Sequence, residues 1–373
     1  MFQRFFDAGA IIVLCTLCLG LSIPHASAEE GTMANPFVYI GGYNNTVSCF
    51  VLDMATGTLQ PASTSDCGQN PTYMAWHPSR KYMYAANEID AGKVTAFSIN
   101  PKDGALTKLN EASAAGHGPC HLSVSPNGKW VFTANYGSGD IGVLPVKPDG
   151  SVGEPVFTAK AGKNAHQIFT DSTGKYVFVP CLGSEYIAQY ILDDATGQLT
   201  ANTPPNSPIA KGSGPRHLAI HPNNRFGYLI NEHGMTVNSL MYDAAAGTFS
   251  SPESIPTLPA GADTKGVSTA HIRVAPSGKF VYGSNRGNDT LVIYAVNAET
   301  GRLTLVGHEN GGDEIKTPRD FSLDPTGKYL IAASQKTGVV IVFRVDQSKG
   351  TLEKLNTTKV PSGPAFVGIM PIP

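Results

Sequence analysis

The chain has 373 residues, of which only 15% are charged, and its formal net charge at pH 7 is −2. No block of like charge occurs, which argues against nucleic acid or an anionic membrane surface as a partner. Glycine (40 residues) and proline (27 residues) are plentiful, as expected for many short strands joined by tight turns.

The N-terminus has the three parts of a secretory signal peptide. Arg4 precedes an apolar run over residues 8–23, and Ala26-Ser27-Ala28 provides small residues for cleavage. We therefore predict a signal peptide over residues 1–28, cleaved after Ala28, and a flexible segment over residues 29–36. The mature protein is expected in the periplasm or outside the cell, with no membrane attachment after cleavage.

A retained anchor helix is the alternative, because Asp7 weakens the charged region, although the apolar run is short for a membrane span. Cleavage would leave four of the six cysteines. An oxidising compartment permits disulfides between them, and the sequence leaves open whether Cys49 and Cys67, or Cys120 and Cys181, are paired.

A short turn, usually of the form Asp/Asn-x-x-x-Gly-x-Leu, recurs seven times after the predicted signal peptide. The interval is roughly 50 residues, a period typical of propellers and other repeat architectures. Its glycines are Gly57, Gly104, Gly150, Gly197, Gly247, Gly301 and Gly350.

A second marker, a Pro-x-Gly-Lys-like turn such as Ser125–Lys129, precedes each of the last six glycine turns. A short strand comes before this marker, and two strands rich in β-branched and aromatic residues follow it. The glycine turn then leads to a fourth strand. Four short strands per repeat, joined by turns, are typical of one propeller blade.

The two ends of the repeat predict a closed ring. Residues 37–41 read as the second strand of a blade with no first strand before it, and residues 363–369 read as a first strand with no blade after it. We therefore predict an all-β, seven-bladed β-propeller over residues 37–373. Its blades have four antiparallel strands each, and the C-terminal strand completes the first blade. Because closure protects the sheet edges, we expect a monomer.

Alignment of the repeats on the second marker separates recurring positions from variable ones. Asn87, Asn135, Asn231 and Asn285 share one position, where asparagine is expected to bond backbone at strand ends. His121, His217 and His271 share another position, which favours hydrogen bonds between blades.

Two further positions vary in type from blade to blade and flank the innermost strands. Mixed titratable groups that converge at the mouth of a central channel are what catalysis or anion binding requires. An ion-pair network that merely plugs the channel is the alternative. The titratable members are Glu88, His166, Arg216, Glu232, Arg286 and Arg319.

At these residues the chain resembles the seven-bladed propeller lactonases. The resemblance rests on Gly214-Pro215-Arg216-His217, Asn231-Glu232, residues 284–289 and residues 317–321. That family contains a bacterial 6-phosphogluconolactonase and the fungal carboxy-cis,cis-muconate cyclase. The resemblance implies an active site formed by His166, Arg216, Glu232 and Arg286.

Lactone hydrolysis needs a base for water and positive charge for the oxyanion. Glu232 or His166 would be the base, and Arg216 and Arg286 would hold the oxyanion or a substrate carboxylate. We expect Arg319, His121, His217 and Glu88 to bind substrate. We expect no cofactor, and no metal because no carboxylate cluster suits calcium. No Gly-x-Ser-x-Gly motif occurs, so we expect no covalent nucleophile.

These features predict an exported lactonase that hydrolyses, or reversibly forms, the lactone of a sugar acid or another carboxylate-bearing small molecule. A muconate-type lactonising cyclase is one alternative. A secreted propeller that binds a ligand or a partner protein without catalysis is the other.

Overall fold

The computed structural model describes residues 35–372, in which strands form seven four-stranded antiparallel sheets. The predicted signal peptide and residues 29–34 lie outside this range. Within the described range, the helical segments are two 3-10 turns, Leu182–Ser184 and Gly311–Asp313. No helix among the described residues is long and apolar enough to cross a membrane.

Each sheet is one blade of a propeller, and its innermost strand lines the central channel. Blade 1 contains β1 (Phe37–Gly42), β2 (Thr46–Leu52) and β3 (Leu59–Asp66), and its fourth strand comes from the C-terminus. Blade 2 contains β4 (Pro71–Trp76), β5 (Tyr82–Asn87), β6 (Lys93–Ile99) and β7 (Leu106–Ser113). Blade 3 contains β8 (Pro119–Val124), β9 (Trp130–Asn135), β10 (Asp140–Pro145) and β11 (Phe157–Lys160).

Blades 4 to 7 follow in chain order. Blade 4 contains β12 (Phe169–Thr170), β13 (Tyr176–Cys181), β14 (Tyr186–Asp193) and β15 (Gln198–Pro208), and blade 5 contains β16 (Pro215–Ile220), β17 (Phe226–Asn231), β18 (Thr236–Asp243) and β19 (Thr248–Pro256). Blade 6 contains β20 (Ser268–Val274), β21 (Phe280–Arg286), β22 (Thr290–Val296) and β23 (Leu303–Glu309). Blade 7 contains β24 (Pro318–Leu323), β25 (Tyr329–Ser334), β26 (Val339–Val345) and β27 (Leu352–Lys359).

The last strand, β28 (Pro364–Met370), closes the ring. It is the innermost strand of blade 1 and pairs antiparallel with β1, where Phe37 lies opposite Met370 and Ile40 opposite Val367. The predicted seven blades and the completion of the first blade by the C-terminal strand are therefore confirmed.

The recurring glycine turn has a physical reason, which is the contact between neighbouring blades. All seven glycines have positive φ values, from +66° to +84°. Each also faces the aromatic residue that begins the second strand of the preceding blade. At six of them a Cβ would strike that ring, and at Gly104 it would strike the neighbouring Cys49 Sγ, with the Phe37 ring 3.3 Å away. The pairs are Gly57–Tyr329, Gly104–Phe37, Gly150–Tyr82, Gly197–Trp130, Gly247–Tyr176, Gly301–Phe226 and Gly350–Phe280.

Substitution of Gly247 by alanine is therefore expected to destabilise the protein by about 2–4 kcal/mol, because it adds backbone strain to overpacking. A Cβ at Gly247 would lie 2.1 Å from the Tyr176 ring. Gly212 is the matched control, because its φ is +81° but nothing lies within 4 Å of a Cβ there. Urea unfolding gives the free energy of unfolding of Gly247→Ala and Gly212→Ala. Equal losses in the two variants would contradict this explanation of the repeat.

Three of the four recurring asparagines, Asn87, Asn135 and Asn285, join their blade to the chain segment that enters it, whereas Asn231 bonds to Thr236 and Asn238 within its own blade. Asn87 donates to the backbone carbonyls of Cys67 and Gln69, and Asn285 donates to that of Thr257. The sequence analysis predicted that these asparagines bond to backbone at the strand ends. Of the four side chains, only Asn135 makes such a local bond, to the carbonyl of Asp140. The main role is to fix the incoming connection.

Candidate active site

β-bulges aim one side chain from most innermost strands at the channel axis. In β16 the pairing with β17 passes from Pro215 to His217, so Arg216 is the extra residue. A bulge of this kind bends the strand and redirects a side chain, and bulges are common next to active sites. The same shift leaves four other residues unpaired, namely Thr72, Cys120, Arg319 and Ala365.

A second set of side chains comes from the ends of the second strands, at the same mouth. Glu88 and Glu232 directly follow β5 and β17, and Arg286 ends β21. His166 precedes the two-residue strand β12. Together these residues surround a cavity of about 190 Å³. Its lining comprises Glu88, Cys120, Tyr136, His166, Arg216, Glu232, Arg286 and Arg319.

Glu232 lies between two arginines and has one carboxylate oxygen near each. Its Oε2 is 2.8 Å from Arg216 Nε, and its Oε1 is 2.9 Å from Arg286 Nη2. The side chains are 17%, 2% and 14% exposed, respectively, so the pairs are little screened by water. Burial alone would raise the pKa of Glu232, but the charges of Arg216 and Arg286 hold it below its ordinary value.

A backbone carbonyl accepts a hydrogen bond from each of the two arginines and fixes its orientation. Arg216 Nη1 donates to the carbonyl of Ala270, and Arg286 Nη2 donates to that of Thr269. Burial lowers the pKa of Arg216 to about 10, although Glu232 opposes this shift. The Arg216 guanidinium therefore remains charged at neutral pH, and both guanidinium groups are held in one orientation.

His166 is a buried, neutral imidazole at the same cavity. Burial, reinforced by the charge of Arg216, holds the pKa of His166 well below 6.5. The ring lies edge-on to Tyr136 at a centroid distance of 5.4 Å, and Nδ1 is 3.8 Å from Cys120 Sγ. Burial raises the pKa of the Cys120 thiol to about 12, so this thiol is protonated at neutral pH.

Arg319 and Glu88 form the outer part of the lining. The Arg319 guanidinium stands over the Tyr43 ring at 5.3 Å, and the Tyr43 hydroxyl donates to Glu88 Oε2 at 3.1 Å. Among residues 35–372, Arg319 forms no ion pair, unlike Arg216 and Arg286. It is a cation available to an anionic ligand.

A ring of buried side chains closes the channel beneath this cavity. One residue from each blade contributes, and the members are Tyr73, His121, Gln167, His217, His271, Asp320 and Phe366. His217 and His271 bring their Nδ1 atoms within 2.6 Å, which agrees with the predicted bonds between blades. We call these seven residues the plug.

The plug contains two predicted substrate-binding residues. His217 lies under the cavity, with Nε2 3.5 Å from Arg216 Nη1. His121 does not line the cavity, because its ring stacks on Tyr73 and faces the other end of the channel. This placement gives no support to a substrate contact for His121. The other predicted residues, catalytic and binding, meet at one mouth.

Two lining residues, Cys120 and Tyr136, were not among the predicted site residues. Neither was Tyr43, which contacts Glu88 and Arg319 beside the cavity. Cys120 and Tyr136 occupy the same variable positions as Arg216 and Glu232, so the repeat alignment carried the signal for them. Tyr43 follows β1, outside the aligned positions. Within residues 35–372 all four cysteines are free and buried, and no group of three or more metal-ligating side chains occurs.

The fold and the cationic channel mouth define a class, the β-propellers with a buried polar site on the axis. Comparison with known families matches residues 37–368 to the family described as "Lactonase, 7-bladed beta-propeller". The chain therefore belongs to the seven-bladed β-propeller lactonase family.

Individual relatives agree with this assignment. A 6-phosphogluconolactonase of Pectobacterium carotovorum is 34% identical over 85% of this chain and 93% of its own length. One from Bacillus subtilis is also 34% identical, over 86% and 93%. Among solved structures, a periplasmic gluconolactonase of Pseudomonas aeruginosa is similar with a TM-score of 0.84 at 26% identity, over 91% of this chain and all of that one.

Proposed function

We propose that the channel mouth hydrolyses the lactone of a six-carbon sugar acid, with 6-phosphogluconolactone and gluconolactone as the two candidates. One observation carries the proposal: a neutral imidazole and two oriented guanidinium groups face the same 190 Å³ cavity. This set offers a proton acceptor and a place for negative charge, the two requirements of acyl transfer to water. The relatives named 6-phosphogluconolactonase and gluconolactonase support a sugar-acid lactone.

His166 is the better base of the two candidates. Both carboxylate oxygens of Glu232 are held by arginines, and the pKa of Glu232 is lowered by them, so it is a weak proton acceptor. In our mechanism His166 removes a proton from water as the water oxygen attacks the lactone carbonyl. The imidazolium then returns the proton to the ring oxygen as the ring C–O bond breaks, which yields the hydroxy acid.

Arg216 and Arg286 supply the positive charge for the oxyanion in this mechanism. Because each is bonded to a backbone carbonyl and to Glu232, little reorganisation accompanies the reaction. Glu232 thus acts as a positioning residue. A covalent route through Cys120 is not part of the mechanism, because its pKa of about 12 keeps the thiol protonated.

Arg319 would recognise the anionic end of the substrate. It is the lining arginine without a carboxylate partner in the described part of the chain. The mouth as a whole carries three arginines against Glu88 and Glu232. This excess of positive charge favours a phosphate or carboxylate on the lactone.

Substitution of Arg319 by methionine is expected to raise KM for 6-phosphogluconolactone by about tenfold or more, the loss of one charge-assisted contact. KM for unphosphorylated gluconolactone should stay nearly unchanged, so the neutral lactone is the internal control. Initial rates by pH-stat, corrected for spontaneous hydrolysis, measure both. Equal effects on the two lactones would remove Arg319 from anion recognition and leave the hydrolytic role of His166 in place.

We also propose that the protein is exported and acts as a monomer. The signal-like features of residues 1–28 and the similarity to a periplasmic gluconolactonase support export. Closure of the ring within one chain supports the monomer. A phosphorylated sugar lactone is expected in the cytoplasm, so export would shift the preference towards gluconolactone or another unphosphorylated sugar acid.

Expression of the full chain in a Gram-negative host tests export. We expect release of the protein by osmotic shock and an N-terminal sequence that begins at Glu29. A cytoplasmic product that retains Met1, or a membrane fraction that retains residues 1–28, would contradict cleavage after Ala28. Light scattering on the same preparation gives the oligomeric state.

A further inference from the structure

The opposite end of the channel carries a second cavity, larger than the candidate active site. Its volume is about 610 Å³, within the usual range for small-molecule sites. The plug separates the two cavities. Apolar side chains form much of its wall, among them Trp76, Phe169, Ile220, Val274 and Phe366.

Arg273, from β20, brings a positive charge into this apolar wall. Its Nε is buried and has no hydrogen-bond partner. Its guanidinium is within hydrogen-bond reach of the Tyr73 side chain and forms no ion pair with a carboxylate among residues 35–372. The charge of Arg273 influences the pKa values of Tyr73, His121, His271 and Asp320. Since these four belong to the plug, the guanidinium lies near the channel axis.

The carboxylates near Arg273 have other roles. Asp171 lines the cavity, but its Oδ1 accepts from the backbone N–H groups of Lys175 and Tyr176, and its Oδ2 accepts from Thr173. Asp320 belongs to the plug, where its Oδ2 accepts from Val367 N. Burial raises the pKa of Asp320 to about 6, although Arg273 opposes this, so its charge is incomplete in mild acid.

Two residues of the wall, Ser123 and His271, each have a polar atom without a partner in the described chain, but these atoms, Ser123 Oγ and His271 Nε2, are buried and do not face the cavity. The charged group that the wall offers to an anionic ligand is therefore the Arg273 guanidinium, which is set in an extensive apolar surface.

We propose that this second cavity is a binding site for an organic monocarboxylate with an apolar body, such as an aryl or branched alkyl acid. The carboxylate would pair with Arg273, and the apolar body would lie against Trp76 and Phe366. One cation matches one negative charge, and the apolar wall disfavours the polyhydroxylated substrates proposed for the other mouth. The site is independent of the lactonase mechanism.

Titration of the mature protein with benzoate, followed by tryptophan fluorescence, tests this site. Trp76 lines the cavity, and Trp130 lies in the core, so Trp76→Phe identifies the reporter. Benzamide, which is similar in shape and neutral, is the matched control ligand. We expect saturable quenching by benzoate below roughly 10 mM, the weak range for small ligands, and at least about tenfold weaker binding of benzamide, since the charge-assisted contact is lost.

Three variants locate the binding. Arg273→Gln removes the charge, and Ala219→Phe fills the cavity while it keeps Arg273. Each should weaken benzoate binding at least about tenfold, by loss of the ion pair or of the space. Arg319→Met alters the other mouth, away from the second cavity, and should leave this binding unchanged.

The proposal is overturned by any of three results. These are the absence of saturable quenching in the wild type, equal affinity of Arg273→Gln and wild type, or loss of binding in Arg319→Met alone. The last result would place the benzoate at the lactonase mouth. Circular dichroism of each variant confirms that it is folded, and if Arg273→Gln fails this check, Ala219→Phe decides.

Discussion

Substitution of His166 by asparagine is expected to lower kcat/KM for the lactone by about 10²–10⁴-fold, the usual contribution of a general base. His166 is neutral over the working pH range, because burial and Arg216 hold its pKa well below 6.5. The wild-type profile should therefore be flat near neutrality and fall only in acid. Asparagine cannot accept the proton, so that acid limb should disappear from the residual activity.

His117→Asn is the matched control for this variant. His117 is exposed and lies outside the site cavity, so its replacement should leave kcat/KM unchanged. If His166→Asn retains wild-type activity, or keeps the acid limb, the base must be another group, and Glu232 becomes the candidate.

Acid also affects stability, and the pH profile must be separated from unfolding. The buried His121, His166, His217 and His271 all have pKa values well below 6.5 because of burial. Below about pH 6.5 these histidines are protonated in the unfolded chain but stay neutral in the folded protein, so the free energy of unfolding falls as the pH falls. Rates should be compared only where circular dichroism shows the folded state.

Substitution of Arg216 by methionine is expected to reduce kcat/KM by about 10²–10³-fold, the cost of losing one oxyanion donor. Glu232→Gln should cause a loss of similar size, because it releases both guanidinium groups from their orientation. If Glu232 acts through Arg216, kcat/KM of the double variant should be about equal to that of the more impaired single variant. Steady-state kinetics of the four proteins complete this cycle.

Independent, multiplying losses in the double variant would contradict a positioning role for Glu232 and favour its role as the base. Arg302→Met is the matched control for loss of an arginine. Arg302 pairs with Glu253 on the surface, with side chains 69% and 57% exposed, and should affect neither kcat nor KM.

The blades and their closure could be predicted from the sequence because the repeat reports a local constraint. The glycine at each turn must have positive φ and must pack closely against the preceding blade, so Gly150 and Gly247 recur with their aromatic partners Tyr82 and Tyr176. The variable positions could be found for a related reason. Arg216 and Arg319 are bulge residues at one fixed register, so an alignment of the blades brings them together.

The parts that could not be predicted depend on contacts between distant segments. The sequence offered Glu232 and His166 as equal candidates for the base, and only the distances to Arg216 and Arg286 distinguish them. Tyr43 stands outside the aligned positions and reaches the site through Glu88. The second cavity could not be predicted, although Arg273 shares one repeat position with Ser123 and Ala219 of its wall, because a single arginine among small and apolar residues at that position does not indicate a cavity.

Lactone turnover by the mature protein tests the central claim most directly. Acid release from 6-phosphogluconolactone and gluconolactone is followed by pH-stat, with spontaneous hydrolysis subtracted, for the wild type and for His166→Asn. We predict turnover of at least one of the two lactones by the wild type, and a rate reduced by about 10²–10⁴-fold in the variant. Failure of the wild type to hydrolyse either lactone, or equal rates for the two proteins, would contradict the assignment of this channel mouth as a lactonase site.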